Sequence, residues 1–286
     1  MDRTNLLAGI VLTILAGSLF ATMDMVGKHL TTLVPVLMVV WGRYVSQTIA
    51  VTAVLASRNG FGFLKTRHPL LQLARGGALL SATLCMYTAL SSVPLADATA
   101  TLFLSPILVT VFSVLFLGER IGIHRTGAVL FGFLGVLLIV RPGSNGADPA
   151  ILFAVAASVL NAAYLLLTRR LAGADDAAST QFNTTAVGAV VLTALVVPSW
   201  QTPEPAVLAL MVAAGLIGSV SHVCLVRAFA HAPASLLSPF LYAQVLVAAL
   251  FSVLVFGDPL HPAIVAGTAI LVASGLYIWW REVRTR

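Results

Sequence analysis

Charge is what this sequence has least of. Asp, Glu, Lys and Arg make up 9% of its 286 residues, against about 25% in an ordinary soluble domain. Sixteen basic and ten acidic side chains are too few to cover a water-soluble globule. Disorder is excluded from the other direction, because 59% of the chain is hydrophobic and disordered segments are poor in apolar residues. Only two cysteines occur, Cys85 and Cys224, each inside an apolar run with no CxxC or histidine spacing nearby. That excludes a disulfide framework and a thiolate zinc site, and both read as small buried hydrophobes. No GxxxxGK[ST] loop is present, so ATP is not the direct energy source, and HExxH, GxSxG and paired intramembrane carboxylates are missing too. A membrane-embedded enzyme would need such a constellation. No cofactor, no metal site and no obligatory protein partner are expected. The net charge of +6 does not signal nucleic acid, since Lys and Arg occur singly or in pairs with no stripe to follow phosphates.

Long apolar runs are what the chain has in abundance. A helix needs about 20 mostly apolar residues to cross the hydrocarbon core, and ten such runs are predicted. They cover residues 6–27, 34–56, 70–91, 96–117, 122–140, 149–168, 178–198, 206–229, 235–256 and 261–280. Turn-forming groups such as Arg58-Asn59-Gly60, Arg67-His68-Pro69 and Arg141-Pro142-Gly143 fall between them. The first run reads as a retained span, because Met1-Asp2-Arg3 carries little net charge and no small-x-small cleavage site follows. With the N-terminus inside, thirteen of the sixteen Lys and Arg, Arg75 among them, fall on cytoplasmic segments. Lys28 and Arg141 fall outside, and Arg43 lies within the second span. Both termini are therefore expected in the cytoplasm, in a multi-pass protein of the inner (plasma) membrane whose surrounding partner is the lipid bilayer.

The chain also matches itself at an offset of 139 residues. Cys85 falls on Cys224, Pro94 on Pro233, Phe112-Ser113-Val114-Leu115 on Phe251-Ser252-Val253-Leu254, and Gly118-Glu119 on Gly257-Asp258. Five spans per copy force the second copy to enter the membrane from the opposite side. The expected fold is thus all-α and membrane-integral: ten transmembrane helices in two inverted five-helix repeats, residues 1–143 and 144–286, around a central cavity. Inverted repeats are a recurring plan of secondary transporters, because two mirrored units can open one site to either side in turn.

The stretch Tyr87 to Ala98, continuing through Ser105-Pro106 to Leu117-Gly118-Glu119-Arg120 and ending at Arg141-Pro142-Gly143, resembles the drug/metabolite transporter superfamily, EamA branch. Residues Ala228 to Asp258 repeat the pattern more weakly. The resemblance covers essentially the whole chain and implies a ten-span exporter of amino acids or related metabolites, aromatic ones included. Many members carry tryptophan in the middle of the first and sixth spans, where this chain has Ala16-Gly17-Ser18 and Leu160-Asn161-Ala162. A smaller, more polar cavity wall is implied.

Candidate substrate-binding residues follow from depth at 1.5 Å per helical residue. Ser105, Asn161 and Gln244 fall near the bilayer midplane, and the first and last coincide under the 139 offset. They offer donors and acceptors without a counter-charge, which suits a zwitterion or an amphiphile. Each could instead bond a neighbouring helix. Tyr87, Tyr164 and Tyr242 could present rings to an apolar moiety, with packing as the alternative for each. Asp24 and Lys28, spaced i and i+4, and Arg43 are candidates for gating or coupling, as an Asp24–Lys28 or Asp24–Arg43 pair bracing the outer vestibule. His222 is a possible proton-coupling group or a helix-bridging one. Pro106 and Pro239 interrupt the fourth and ninth spans and are candidate hinges. The leading expectation is a secondary exporter of small amphiphilic metabolites, amino acids first. A cationic-drug exporter and an uptake permease for a nucleoside-like metabolite keep the mechanism and change the cargo or direction.

Overall fold

Apolar length and proline punctuation build the bundle. The computed structural model describes residues 3–118, 122–140, 148–171, 174–232 and 237–284, so Glu119, Arg120, Arg141-Pro142-Gly143, Pro233 and the boundary between 143 and 144 lie outside the described residues. The helices are α1 (Arg3–Thr31), α2 (Val36–Asn59), α3 (Pro69–Leu90), α4 (Leu95–Leu102), α5 (Ser105–Leu117), α6 (Ile123–Val140), α7 (Ile151–Leu171), α8 (Ala177–Leu195), α9 (Pro205–His231), α10 (Ala243–Leu254) and α11 (Pro262–Arg284), with a 3-10 turn at Ser238–Tyr242 ahead of α10. Pro69 and Pro205 sit in the first turn of their helices, where a missing N–H costs nothing. Asp176 caps α8 by accepting from the N–H groups of Ala178 and Ser179.

Among the described residues, six segments are long and apolar enough to cross a membrane: Leu6–Thr31, Val36–Arg58, Pro69–Leu90, Leu95–Phe116, Ile151–Leu171 and Pro205–His231. Three shorter apolar helices, Thr126–Val140, Phe240–Leu254 and Pro262–Tyr277, cover the predicted fifth, ninth and tenth runs. The seventh run differs. Helix α8 has the length, but its first half reads Ser179-Thr180-Gln181-Phe182-Asn183-Thr184-Thr185, and Ser179, Thr184 and Thr185 are buried against protein. Inward polar side chains dilute its hydropathy.

The predicted fourth run is two helices. Pro106 has no N–H to give the Leu102 carbonyl, and the chain breaks at Phe103-Leu104. Hydroxyls serve the carbonyls at the break: Ser105 Oγ donates to the freed Leu102 O (2.7 Å), and Ser158 Oγ donates to Thr101 O (2.8 Å), which also accepts from the Leu104 N–H (3.0 Å). Ser105 Oγ also meets Ser158 O at 3.1 Å, so the break is braced against α7. In the ninth run, Pro239 lies in the 3-10 turn before α10. Both broken runs end on glycine in the left-handed region, Gly118 (φ 66°) and Gly257 (φ 69°), the conformation a helix C-cap needs and Gly adopts without strain.

Helix α1 packs on α9 and α10, and α7 packs on α3, α4 and α5. Helix α2 lies against α8 and α9, α3 against α7 and α8, α4 against α10, and α6 against α11. Small residues set the closest approaches. Gly76 of α3 faces Val187 of α8, and Gly215 of α9, 139 positions later, faces Ser46 and the Arg43 backbone of α2. At the α6–α11 crossing, Gly135 and Gly267 bring backbone onto backbone: a Cβ on Gly135 would lie 2.7 Å from the Gly267 carbonyl oxygen.

That crossing yields a test. Gly135→Val is expected to lower the melting temperature of the detergent-purified protein through an overpacking cost of about 1–3 kcal/mol. Gly77→Ala, at a position with nothing within 4 Å, is expected to leave it unchanged. Equal melting of Gly135→Val and the parent protein contradicts the close crossing.

Candidate functional site

The N-terminal end of α1 marks the near face of the bundle and Lys28, at its other end, the far face. Polar side chains gather in three layers between them.

At the far face, Lys28 Nζ donates to Val93 O (2.7 Å), pairs with Asp258 Oδ2 (3.7 Å) and lies 5.1 Å from the centre of the Phe256 ring. Ser252 Oγ donates to the same Asp258 oxygen (3.0 Å) and accepts from the Ala96 N–H (3.4 Å). Asp97 acts on Lys28 as a second negative charge. The ties join α1, the start of α4 and the segment after α10. This corrects the expected Asp24–Lys28 pair. The i, i+4 spacing permits it, but Lys28 turns to Asp258, an anion with which it shares the far face.

The middle layer contains Asp24, which is 4% exposed. Gln244 Nε2 donates to its Oδ2 at 3.4 Å. Arg43 of α2 and Asp24 act on each other electrostatically, yet no ion pair of 4 Å or less joins them. The expected direct Asp24–Arg43 pair is therefore corrected to two interacting charges with no ion pair between them. The Arg43 guanidinium sits over the rings of Tyr44 (5.8 Å) and Tyr87 (5.5 Å). Tyr44 is held by Thr83 (3.0 Å), and Tyr87 by close contact with Gly27, where a Cβ would overlap the ring. Arg43 Nε and the Tyr87 hydroxyl are buried without a well-formed hydrogen bond, although the hydroxyl lies beside the guanidinium and interacts with it. Tyr87 is fully buried, 0% exposed. On the adjoining helices His222 packs edge-on to Phe20 with ring centres 5.0 Å apart.

Toward the near face stands Arg75. Expected in a cytoplasmic segment, it lies within α3, 3% exposed. Its Nε donates to Thr168 Oγ1 (2.7 Å), Nη1 to Thr180 O (3.1 Å) and Gln72 Oε1 (3.4 Å), and Nη2 to Tyr164 OH (3.1 Å). Its guanidinium also lies 4.8 Å from the Tyr164 ring centre. Gln72 Nε2 carries the chain of bonds to Asp175 Oδ2 (3.0 Å), which also accepts from Thr66 Oγ1. The Arg67 N–H donates to the other Asp175 oxygen (3.3 Å). Four acceptors around one guanidinium offset much of the several kcal/mol that its burial costs. Arg75 is thus a satisfied cation and Arg43 is not.

The structure brings Asp24, Arg43, Tyr87 and Gln244 together. It puts Tyr164 with Arg75 and Ser105 with Ser158, while Tyr242 stacks on Phe103 at 5.1 Å. Asn161 is half-buried with no hydrogen bond among the described residues, and Pro106 is exposed at the start of α5. Among the described residues no group of His, Cys, Asp and Glu could hold a metal ion. A separate groove of about 520 Å³ between α6 and α11, lined by Phe131, Ala273, Tyr277 and neighbours, shares no residue with the three layers. Sequence reasoning missed Arg75, Asp258 and Tyr44. The signal for Arg75 was available: it falls five residues inside a predicted span.

The EamA-like transporter family matches residues 7–141 and again residues 148–280. The chain belongs to that family. As an EamA-like transporter it is a multi-pass integral membrane protein that handles a small molecule. It is 26% identical over 224 residues to an S-adenosylmethionine uptake transporter of Rickettsia felis, covering 78% of this chain and 76% of the relative. It is 29% identical to a riboflavin transporter of Vibrio cholerae, over 73% and 71% of the two chains. A pseudopaline exporter of Pseudomonas aeruginosa is 28% identical over 93% and 94%. These relatives are named as transporters and not as enzymes. A crystal structure 21% identical to this EamA-like transporter superposes over 100% of both chains with a TM-score of 0.65, which shows the fold.

Asp175 lies in the loop between α7 and α8, outside the membrane-spanning segments. Its hydrogen bonds, chiefly from Thr66, hold its carboxyl down to about 2 from the usual 3.8. A depressed carboxylate stabilises the fold fully above its unfolded value and loses that contribution as pH falls through the folded one. Melting of the purified protein is therefore expected to lose stability between about pH 4 and pH 2, and Asp175→Asn to flatten this part of the profile. An unchanged profile in Asp175→Asn removes the carboxylate from the near-face ties.

Proposed function

We propose that this chain is a secondary transporter that exports small amphiphilic metabolites, amino acids first among them, across the inner (plasma) membrane by alternating access. The observation that carries the reading is a polar layer containing Asp24, Arg43 and Gln244, with separate ties on either side of it. Lys28–Asp258 binds helices at the far face and Arg75–Gln72–Asp175 binds them toward the near face. A carrier needs such ties at both ends, because one must open while the other stays closed.

The pairing of helices supports two inverted repeats, residues 1–143 and 144–286. Exchanging each run for the one five places later converts α1 on α9 into α7 on α3, and α2 on α9 into α8 on α3. The α2–α8, α4–α10 and α6–α11 contacts map onto themselves. Left-handed Gly118 and Gly257, and inter-helix Gly76 and Gly215, obey the same 139 offset. The distribution of Lys and Arg favours a cytoplasmic near face with both termini inside. Ser105, Asn161, Gln244, Tyr87, Tyr164 and Tyr242 remain the substrate-facing candidates, His222 the coupling candidate, and the breaks at Pro106 and Pro239 the hinges.

A second reading has specific support. Relatives named as S-adenosylmethionine uptake transporters favour uptake of a nucleoside-like metabolite through the same architecture.

The test is counterflow in proteoliposomes with labelled amino acids, S-adenosylmethionine and an organic cation, at several imposed pH gradients. Saturable, ATP-independent exchange of an amino acid is expected. Exchange of the organic cation alone would refute the cargo assignment. Asn161→Leu and Gln244→Leu are expected to cut exchange several-fold at unchanged folded yield, and parental rates in both would take them out of the site.

A further inference from the structure

We propose that Asp24 and Arg43 form a two-charge receptor for a zwitterionic head group, the Arg43 guanidinium receiving a carboxylate and Asp24 an ammonium. This deepens the transport reading and rests on it.

Opposite charges inside a hydrocarbon span attract strongly, because little solvent screens them. Left to themselves, they close to contact. Here they do not: each feels the other, but no oxygen–nitrogen distance falls to 4 Å. Packing keeps them apart. Gln244 holds the Asp24 carboxylate from α10. Tyr44 and Tyr87 cradle the guanidinium, and each ring is pinned in turn, Tyr44 by Thr83 and Tyr87 against Gly27.

Buried charges held out of contact are costly unless a partner reaches them. Two polar groups beside them are also imperfectly bonded. Arg43 Nε and the Tyr87 hydroxyl are buried with no well-formed hydrogen bond, the hydroxyl lying beside the guanidinium and interacting with it, whereas every nitrogen of the Arg75 guanidinium has an acceptor. Buried donors without partners are rare in folded proteins and call for an explanation. A carboxylate supplies it. Its two oxygens match the planar fork of an arginine and leave a lone pair for the Tyr87 hydroxyl. The free valences of Asp24 Oδ1 and Gln244 Oε1 can accept from an ammonium. An α-amino acid carries both charged groups on one carbon, so a single small ligand presents a carboxylate to Arg43 and an ammonium to Asp24. A cation without a carboxylate satisfies Asp24 and is repelled by Arg43. An anion without an ammonium meets the reverse fate.

Phe20 lies four residues before Asp24 on the same face of α1, half-buried and edge-on to His222. These two rings offer an apolar wall for the remainder of the substrate.

The experiment uses the purified protein in proteoliposomes. Labelled leucine, phenylalanine and S-adenosylmethionine carry the α-zwitterion, whereas riboflavin and tetraphenylphosphonium do not. At least one of the first three is expected to exchange, and neither of the last two. Against the exchanging zwitterion, leucinamide and 4-methylpentanoate are expected to compete at least tenfold more weakly than leucine. Arg43→Gln and Asp24→Asn are each expected to lower exchange at least tenfold. Arg43→Gln should also erase the preference for leucine over leucinamide, a change that a purely structural role would not produce. Exchange of riboflavin or tetraphenylphosphonium alone, or equal competition by leucine and leucinamide in the parent protein, overturns the receptor and leaves the transport reading standing. Exchange of none of the five overturns the transport reading and the receptor with it. The competition series needs no variant to fold.

Discussion

A buried ion must meet a partner or water, and hydrocarbon makes that demand harsher than a soluble core does. The three polar layers of this protein answer it in different ways. Arg75 is satisfied by neutral oxygens on α3, α7 and α8. Lys28 is satisfied by an anion and a carbonyl at one end of the bundle. Arg43 and Asp24 are kept near each other without touching, and polar groups beside them lack well-formed hydrogen bonds. The same requirement governs the backbone. Where Pro106 opens the fourth run, serines from two helices cover the exposed carbonyls.

Packing then distributes the ties between helices. Gly76 and Gly215 let α3 and α9 approach α8 and α2 closely, so the polar residues on these helices face one another in the interior. The α6–α11 pair stands apart from this arrangement. Its glycines give backbone contact at the crossing, and its near-face ends are joined through His124 Nδ1 and the Tyr277 hydroxyl at 2.9 Å.

Much of this was legible in the sequence. Apolar length located helices at all ten runs, although the fourth is two helices and the seventh is more polar than a span, and the 139 offset anticipated the paired glycines at 118 and 257. Asp24, Arg43, Gln244 and Tyr87 were each singled out, three of them for being ionisable or amidic inside an apolar run. Sequence could not say which of them would meet. Helical spacing made Asp24–Lys28 the nearest choice, but tertiary proximity to Asp258, 230 positions away in the chain, decided the pairing. Arg75 was misplaced for a related reason. A cation near the end of a run reads as interfacial until neighbouring helices are seen to surround it with oxygens. The polarity of α8 was visible as composition, but only packing explains how such a helix can stand in a bundle of this kind.

The brace at the fourth run has a mechanical consequence. A hydroxyl rotates about a single bond and can follow a carbonyl through a change of angle, whereas an amide N–H is fixed to its own helix. With Ser105 and Ser158 donating to the Leu102 and Thr101 carbonyls, the peptide groups at the break between α4 and α5 keep partners that do not depend on a continuous helix. The discontinuity is therefore sealed by side chains and not left as a bare fracture.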